Sequence, residues 1–324
     1  MYTTANKTLN VAPGSLQGFS TGAIPFGLYS GPVANVSTIP WAALRRSQRK
    51  AWMYAGAFTG RYFVGFAIAD AGIVATAFAY IFDAETNTYI EEKTTVPFGF
   101  SSAFDPGLTT EWKLKNYSIH TNGNTIVCAY KGKRLSVAMH LTENGLGTTT
   151  IAPAAGRPFH HTYKNLLLPT QVELMFDGQA IAFEGNIGGI DFSKGYPPRT
   201  TFWNWASLNA VTDSGIEFGV NLVADFNNSI ENALWVNGRV SQLSQAAFSY
   251  AQPINKNTTH VRTLDGIITM QFEPLGFRGE NINALFMLSK FKQPFGKFTG
   301  TVLIDGQPHN FTGYGVVEEH FAKW

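Results

Sequence analysis

Short runs of Val, Ile, Thr and aromatic residues recur along the chain, separated by polar breaks. Six breaks carry an Asn-Gly or Asp-Gly pair: Asn122-Gly123, Asn144-Gly145, Asp177-Gly178, Asn237-Gly238, Asp265-Gly266 and Asp305-Gly306. Such pairs accept positive φ at both central positions of a hairpin turn, which matches the twist of the flanking strands. The pattern predicts a meander of antiparallel strands. Ser289–Asp305 shows it compactly: Phe291, then Phe295 and Phe298, then Val302-Leu303-Ile304, closing on Asp305-Gly306.

Tyr62–Phe82 imitates a membrane span, with one charge, Asp70, in 21 residues. That length suits a transmembrane helix. Turn chemistry at Asp70-Ala71-Gly72 divides it, however. The flanks, Arg61–Ala69 and Ile73–Phe82, have strand length and strand composition. Two buried strands and a tight turn are expected. Helix signals are scarce: a short helix is expected in Pro40–Met53, with Trp41, Leu44 and Gln48 on one side, and one turn in Ser241–Ala247. The first 40 residues are rich in Gly, Pro, Ser and Thr and read as an extended arm laid over the body.

A chain of 324 residues suits two domains. Antiparallel strands on short turns give sandwiches or up-and-down barrels, and two barrels of about eight to ten strands use the length. The expected division is 1–195, arm and first barrel, and 196–324, second barrel. Composition adds a requirement. Charged residues make up only 14%, and the rings are many, 26 Phe, 12 Tyr and 7 Trp; a typical soluble protein carries about 25% charge. So many rings must line a large core, a ligand cavity or an interface.

The net charge of +2 leaves no footprint for nucleic acid. One basic cluster, Arg45, Arg46, Arg49 and Lys50, offers weak contact with anionic lipid headgroups; the alternative is a solvated helix face with one buried Arg. The single cysteine, Cys128, excludes an intrachain disulfide and sits in the apolar run Thr125–Tyr130 as a small buried thiol. No signal peptide is visible at the N-terminus, so the cytoplasm is the expected location.

Several motifs carry no chemistry. Gly18-Phe19-Ser20-Thr21-Gly22 matches a nucleophile pattern but lacks the following helix, with Pro25 close behind. His160 and His161 are adjacent, so on a strand they face opposite ways and do not chelate one metal; a hydrogen-bonding pair with one ring lining a cavity is expected. Glu318-Glu319-His320 reads as a solvated strand end. No metal and no cofactor is expected.

Residues 183–236 differ. Gly185, Gly188 and Gly189 precede Asp191; Lys194 and Arg199 follow; Trp203 and Trp205 lie two apart, on one face of a strand. Asn221, Glu231 and Trp235 come next. A carboxylate and two cations near an aromatic wall are how small-molecule sites are built. The alternative keeps both Trp in the core, with Asp191 capping a turn and Arg199 neutralising it.

Gly189-Ile-Asp191-Phe-Ser-Lys-Gly195, Trp203-x-Trp205-Ala, Gly219-x-Asn221-Leu and Glu231-Asn-Ala-x-Trp235 together resemble a widespread microbial domain-of-unknown-function family (number 2804) with tandem lipocalin-like domains. So do Phe291-Lys-Gln-Pro-Phe-Gly296, Gly313-Tyr-Gly315-Val-Val-Glu318 and Arg46-x-x-Arg49-Lys-Ala-Trp52-x-Tyr54. More distantly, the Gly-Gly-x-Asp and Trp-x-Trp order is similar to the hydroxyneurosporene synthase (carotenoid hydratase) and AttH-like group. The resemblance implies an all-β fold of two consecutive lipocalin-like (calycin-type) antiparallel barrels, and an apolar ligand, polyene or acyl, inside or between them. The sequence departs from the hydratase-like pattern of Asp-His and Trp-Gly: Phe192 follows Asp191, and Lys194 precedes Gly195.

Two functions follow as expectations. One is binding of a hydrophobic small molecule, with Trp203, Trp205, Asn221, Glu231, Trp52 and Tyr54 as lining and Arg199, Lys194 or Asn221 orienting a polar head. The other is a cofactor-free lyase, hydratase, isomerase or cyclase. In it Asp191 is general acid or base, its pKa raised by desolvation. Lys194, His161 and Tyr163 assist, and the indoles stabilise cationic charge.

Overall fold

The computed structural model describes residues 9–17, 24–37, 47–97, 107–284 and 287–323. Two compact units make up the chain, one built mainly from Gly31–Pro198 and the other mainly from Arg199–Trp324.

In the N-terminal unit, β1 (Ser15–Gln17) pairs in parallel with β3 (Asn35–Ser37); β2 (Gly27–Ser30), between them in sequence, is grouped with the C-terminal unit. The strands that follow are β4 (Lys50–Phe58), β5 (Tyr62–Asp70), β6 (Val74–Asp83), β7 (Thr88–Pro97), β8 (Trp112–Leu114), β9 (Tyr117–Asn122), β10 (Thr125–Lys131) and β11 (Leu135–Thr142). Then come β12 (Thr148–Ala154), β13 (Arg157–Phe176), β14 (Gln179–Ile181) and β15 (Ile187–Gly195). Their order is β7-β6-β5-β4-β15-β13-β11-β10-β9-β8, with β12 and β14 also on β13. Alternate residues of each strand build the core: Ala51, Met53 and Ala55 on β4, Val64, Phe66 and Ile68 on β5. The end strand β7 meets β9, β10 and the turn after β10 through hydrogen bonds outside any ladder. Tyr117 Oη donates to the Glu92 carbonyl at 2.6 Å. The Glu92 carboxylate accepts Tyr130 Oη and the backbone N–H of Lys133 and Arg134, the last two at 3.2 and 2.9 Å. One carboxylate on β7 thus closes the curled sheet.

The C-terminal unit holds β16 (Thr200–Thr212), β17 (Glu217–Ala224), β18 (Ala233–Val236), β19 (Arg239–Gln242), β20 (Ala246–Tyr250), β21 (Thr259–Thr263), β22 (Ile268–Ala284), β23 (Met287–Ile304) and β24 (Gln307–Lys323). They form one antiparallel sheet in the order β19-β18-β17-β16-β24-β23-β22-β21-β20. Leu208, Phe218, Leu222, Phe272, Phe298 and Val317 centre its core. Asn204 Nδ2 on β16 donates to Tyr250 Oη on the end strand β20 at 2.9 Å, tying the sheet's curl.

The turn chemistry works as expected at Asp177-Gly178, Asn237-Gly238 and Asp305-Gly306, where both residues have positive φ. Asn122 pairs with Thr125, so that turn is Gly123-Asn124, and its glycine carries the positive φ. Asn144-Gly145 closes no hairpin: β11 and β12 both pair with β13. The Tyr62–Phe82 segment is the hairpin β5–β6. Asp70 Oδ1 accepts the Gly72 N–H at 2.7 Å, and Ala71 N–H meets the Val74 carbonyl at 2.8 Å. No helix among the described residues is long and apolar enough to cross a membrane.

One expected helix is absent, and the end of the other is strand. Ser241–Ala247 belongs to β19, β20 and the link between them. Lys50–Met53 opens β4, because its alternation of Ala51 and Met53 with Trp52 and Tyr54 has period two; residues 40–46 lie outside the described residues, as does the Gly18–Gly22 motif. The two described residues of the basic cluster, Arg49 and Lys50, turn inward. Arg49 forms a buried ion pair with Asp70. Lys50 Nζ donates to the carbonyls of Ser47 and Ala71 at 2.5 and 2.8 Å. Neither is offered to a lipid surface; Arg45 and Arg46 lie outside the described residues. Cys128 is fully buried, which pushes its thiol up to about 12.

Candidate functional site

Strand periodicity regroups the residues expected to act together. Asp191 and Lys194 are three apart on β15, so they face opposite ways. Lys194 faces the core with Ile190 and Phe192, and its Nζ donates to the Val36 carbonyl at 2.5 Å. Asp191 faces away from the core, and so does Ser193.

On that second face of the N-terminal sheet the pairs are Lys164–Asp191–Tyr54 and Thr162–Ser193–Trp52. Lys164 Nζ lies 2.6 Å from Asp191 Oδ2, and Ser193 Oγ donates to Asp191 Oδ1 at 3.2 Å. Both side chains are buried. The cation beside Asp191 is Lys164; Arg199 is exposed. Trp52 lies 5.6 Å from the His160 ring, and Tyr54 Oη meets Tyr80 Oη at 3.0 Å. Tyr80 reaches it because Gly65 has no side chain: a Cβ there would stand 2.4 Å from Tyr80 Cε1. Trp52, Tyr54 and Asp191 are thus brought to one face. His160 packs there, while His161 faces the core against Phe192 at 5.6 Å, so the two imidazoles face opposite ways. Burial first, then His161 and Lys164, push His160 down to about 3; burial and Lys194 do the same for His161. Tyr163, also core-facing, donates to Glu143 Oε2 at 3.0 Å.

The C-terminal sheet also carries polar side chains on the face away from its core. Trp203, His320 and Phe291 stand side by side on β16, β24 and β23. The Trp203 and His320 ring centres are 4.3 Å apart, those of His320 and Phe291 5.1 Å. Phe226 extends the line, 5.2 Å from Trp203, and the Arg278 guanidinium lies 5.1 Å over Phe291. Glu318 accepts Trp203 Nε1 at 3.0 Å and Gln293 Nε2 at 2.7 Å. Trp205 donates to Asn221 Oδ1 at 2.7 Å, and Asn221 Nδ2 to the Glu231 carbonyl at 3.0 Å. Both indole N–H groups are satisfied, which leaves the Trp203 ring face, half-buried, as what it offers. Burial and Arg278 push His320 down to about 3.

Glu318 and His320 correct the expectation of a solvated strand end, since both are buried. The sequence also gave no sign of Lys164, Gln293, Arg278 or Glu143. Trp203 and Trp205 belong to one unit and Asp191 to the other; the partners described for each lie within its own unit. No cluster of three or more His, Cys, Asp or Glu able to hold a metal occurs among the described residues.

A family profile described as a domain of unknown function (DUF2804) matches residues 11–324. No curated protein matches the chain. Among solved structures, an AttH-type protein of Nitrosomonas europaea (NE1406) is similar at 16% identity and a TM-score of 0.56, over 84% of this chain and 92% of that one. Kievitone hydratase from Nectria haematococca is similar at 14% identity and a TM-score of 0.56, over 97% of each. These likenesses are of fold: two lipocalin-like antiparallel barrels, all-β.

Proposed function

The chain belongs to the DUF2804 family, and on that footing we propose that it binds a hydrophobic small molecule of lipid, acyl or isoprenoid type against the aromatic face of its C-terminal sheet. The observation that carries this reading is the continuous line Phe226–Trp203–His320–Phe291, ended by Arg278. Apolar ligand area buried on it yields about 25 cal/mol per Å². Arg278, at one end of the line, supplies the cation that orients a head group. Native mass spectrometry with retinol and with oleic acid tests it. A one-to-one adduct that weakens in Trp203→Ala is expected; no adduct with either probe overturns the reading.

A second reading is acid–base catalysis on an apolar substrate without a cofactor. The buried Lys164–Asp191–Ser193 contact favours it, since it fixes a carboxylate away from water where a positioned acid or base can exchange a proton with a substrate. A fold neighbour named a hydratase is in keeping with it. In this reading the substrate lies against Asp191 on the N-terminal sheet, and folded Asp191→Asn loses its turnover; unchanged turnover removes Asp191 as the catalyst.

A further inference from the structure

A hydroxyl stands beside the aromatic line of the C-terminal sheet. Ser289 Oγ lies 2.9 Å from His320 Nε2, and His320 is the only hydrogen-bond partner of the Ser289 side chain among the described residues. Register places Ser289 on the face that carries the line. Phe291, two positions on along β23, is directly opposite His320, and Ser289 is opposite Ala322. Ala322 carries only a methyl group, so it gives Ser289 no hydrogen bond and little cover. Ser289 and His320 keep 9% and 8% of their surface exposed, so neither is sealed into the sheet.

A hydroxyl offers one donor and two acceptor sites, and a neutral imidazole has one nitrogen of each kind. His320 is neutral at ordinary pH, through burial first and the field of Arg278 second. If Nε2 carries the hydrogen, it donates to Ser289, whose own O–H stays open. If Nδ1 carries it, Ser289 donates to Nε2, and the serine lone pairs stay open. Either tautomer fixes the Ser289 hydroxyl and leaves it a further bond to make.

That bond decides which ligand fits. An apolar chain laid across Trp203, His320 and Phe291 covers Ser289 as well. A bare hydrocarbon strips water from the hydroxyl and returns nothing, and an unmet buried polar group costs more than a typical hydrogen bond gains. A hydroxyl on the chain gives the bond back and serves both tautomers, since it donates and accepts. Resting on the reading of the aromatic line as a ligand site, we propose that its ligand is a hydroxylated acyl or isoprenoid chain whose hydroxyl bonds Ser289 beside His320.

Register also places the hydroxyl relative to the head group. Arg278 is opposite Gln293, four positions from Ser289 along β23, with Phe291 between the two on the same face. A head group held at Arg278 and a hydroxyl held at Ser289 therefore lie on either side of the Phe291 ring. The hydroxyl belongs to the chain and not to its head.

Stearate and its 3-, 5-, 7- and 10-hydroxy derivatives, competed against a conjugated tetraene fatty acid on the full chain, test the proposal. Wild type is expected to bind at least one hydroxystearate about fivefold more tightly than stearate, the worth of about one hydrogen bond. Ser289→Ala inverts the order: with no hydroxyl to desolvate, stearate binds more tightly than in wild type, and that hydroxystearate more weakly. Ser289→Thr, which keeps a hydroxyl, keeps the wild-type order. A wild type that ranks no hydroxystearate above stearate, or a preference that survives in folded Ser289→Ala, overturns the proposal, while stearate binding leaves the aromatic line standing as a site. Failure of all these chains to bind removes the line itself and this proposal with it.

Discussion

Lys164 Nζ and Asp191 Oδ2 lie 2.6 Å apart at directly opposed positions of β13 and β15, both away from water. Removing two charges from water costs several kcal/mol each, recovered only through close pairing and added hydrogen bonds such as that from Ser193. Asp191→Asn leaves the ammonium buried without its counter-charge and is expected to cost about 3–5 kcal/mol in urea unfolding. The double variant Lys164→Met/Asp191→Leu recovers most of that loss. Equal losses in the single and double variants would show that the two charges do not depend on each other.

Three buried imidazoles set an acid limit. His160, His161 and His320 are held down to about 3, against 6.5 for the free group. The unfolded chain takes protons that the folded one refuses, so stability is whole above pH 6.5 and declines as the pH falls toward 3. The decline is up to about 1.4 kcal/mol per pH unit for each histidine. Glu143, its pKa raised, acts in the opposite sense: its contribution is full below the unfolded value and fades as the pH rises through the folded one. Urea midpoints between pH 8 and 4 read the histidine slope, and His320→Gln should flatten it. A midpoint unchanged across that window contradicts neutral burial.

Gly65 makes room for a ring. A methyl group there would fall 2.4 Å from Tyr80 Cε1 and 2.6 Å from its hydroxyl, so Tyr80 must leave Tyr54. Gly65→Ala is expected to destabilise the N-terminal unit by about 1–3 kcal/mol. Tyr80→Leu in the same background should relieve much of this; unaltered stability in Gly65→Ala alone would mean that Tyr80 does not lie over the glycine.

Local chemistry is legible in the sequence. Asp177-Gly178, Asn237-Gly238 and Asp305-Gly306 announce hairpins because positive φ is a property of the pair itself. Asn144-Gly145 carries the same chemistry but joins strands that do not pair with each other, and turn residues do not encode which strands they connect. Asp191, Lys194 and Arg199 were grouped by sequence distance, whereas a strand sorts its residues by parity. Lys164 meets Asp191 from 27 residues away, and nothing local in its apolar run announces that. Glu318 and His320 look solvated because a polar triplet ordinarily is; their burial comes from the second face of a sheet. Trp52 and Tyr54 belong to one family-like motif and Asp191 to another, more than 130 residues on, and only register places the three on one face.

Energy transfer from tryptophan to a bound conjugated tetraene fatty acid reads the ligand claim most directly, with unfolding curves confirming that each variant is folded. Wild type is expected to saturate at one equivalent. Trp203→Ala should bind about tenfold more weakly, a change of about 1.4 kcal/mol, with Trp203→Phe in between. No saturable transfer in wild type, or the same affinity in all three proteins, would contradict a ligand seated on the Trp203 ring.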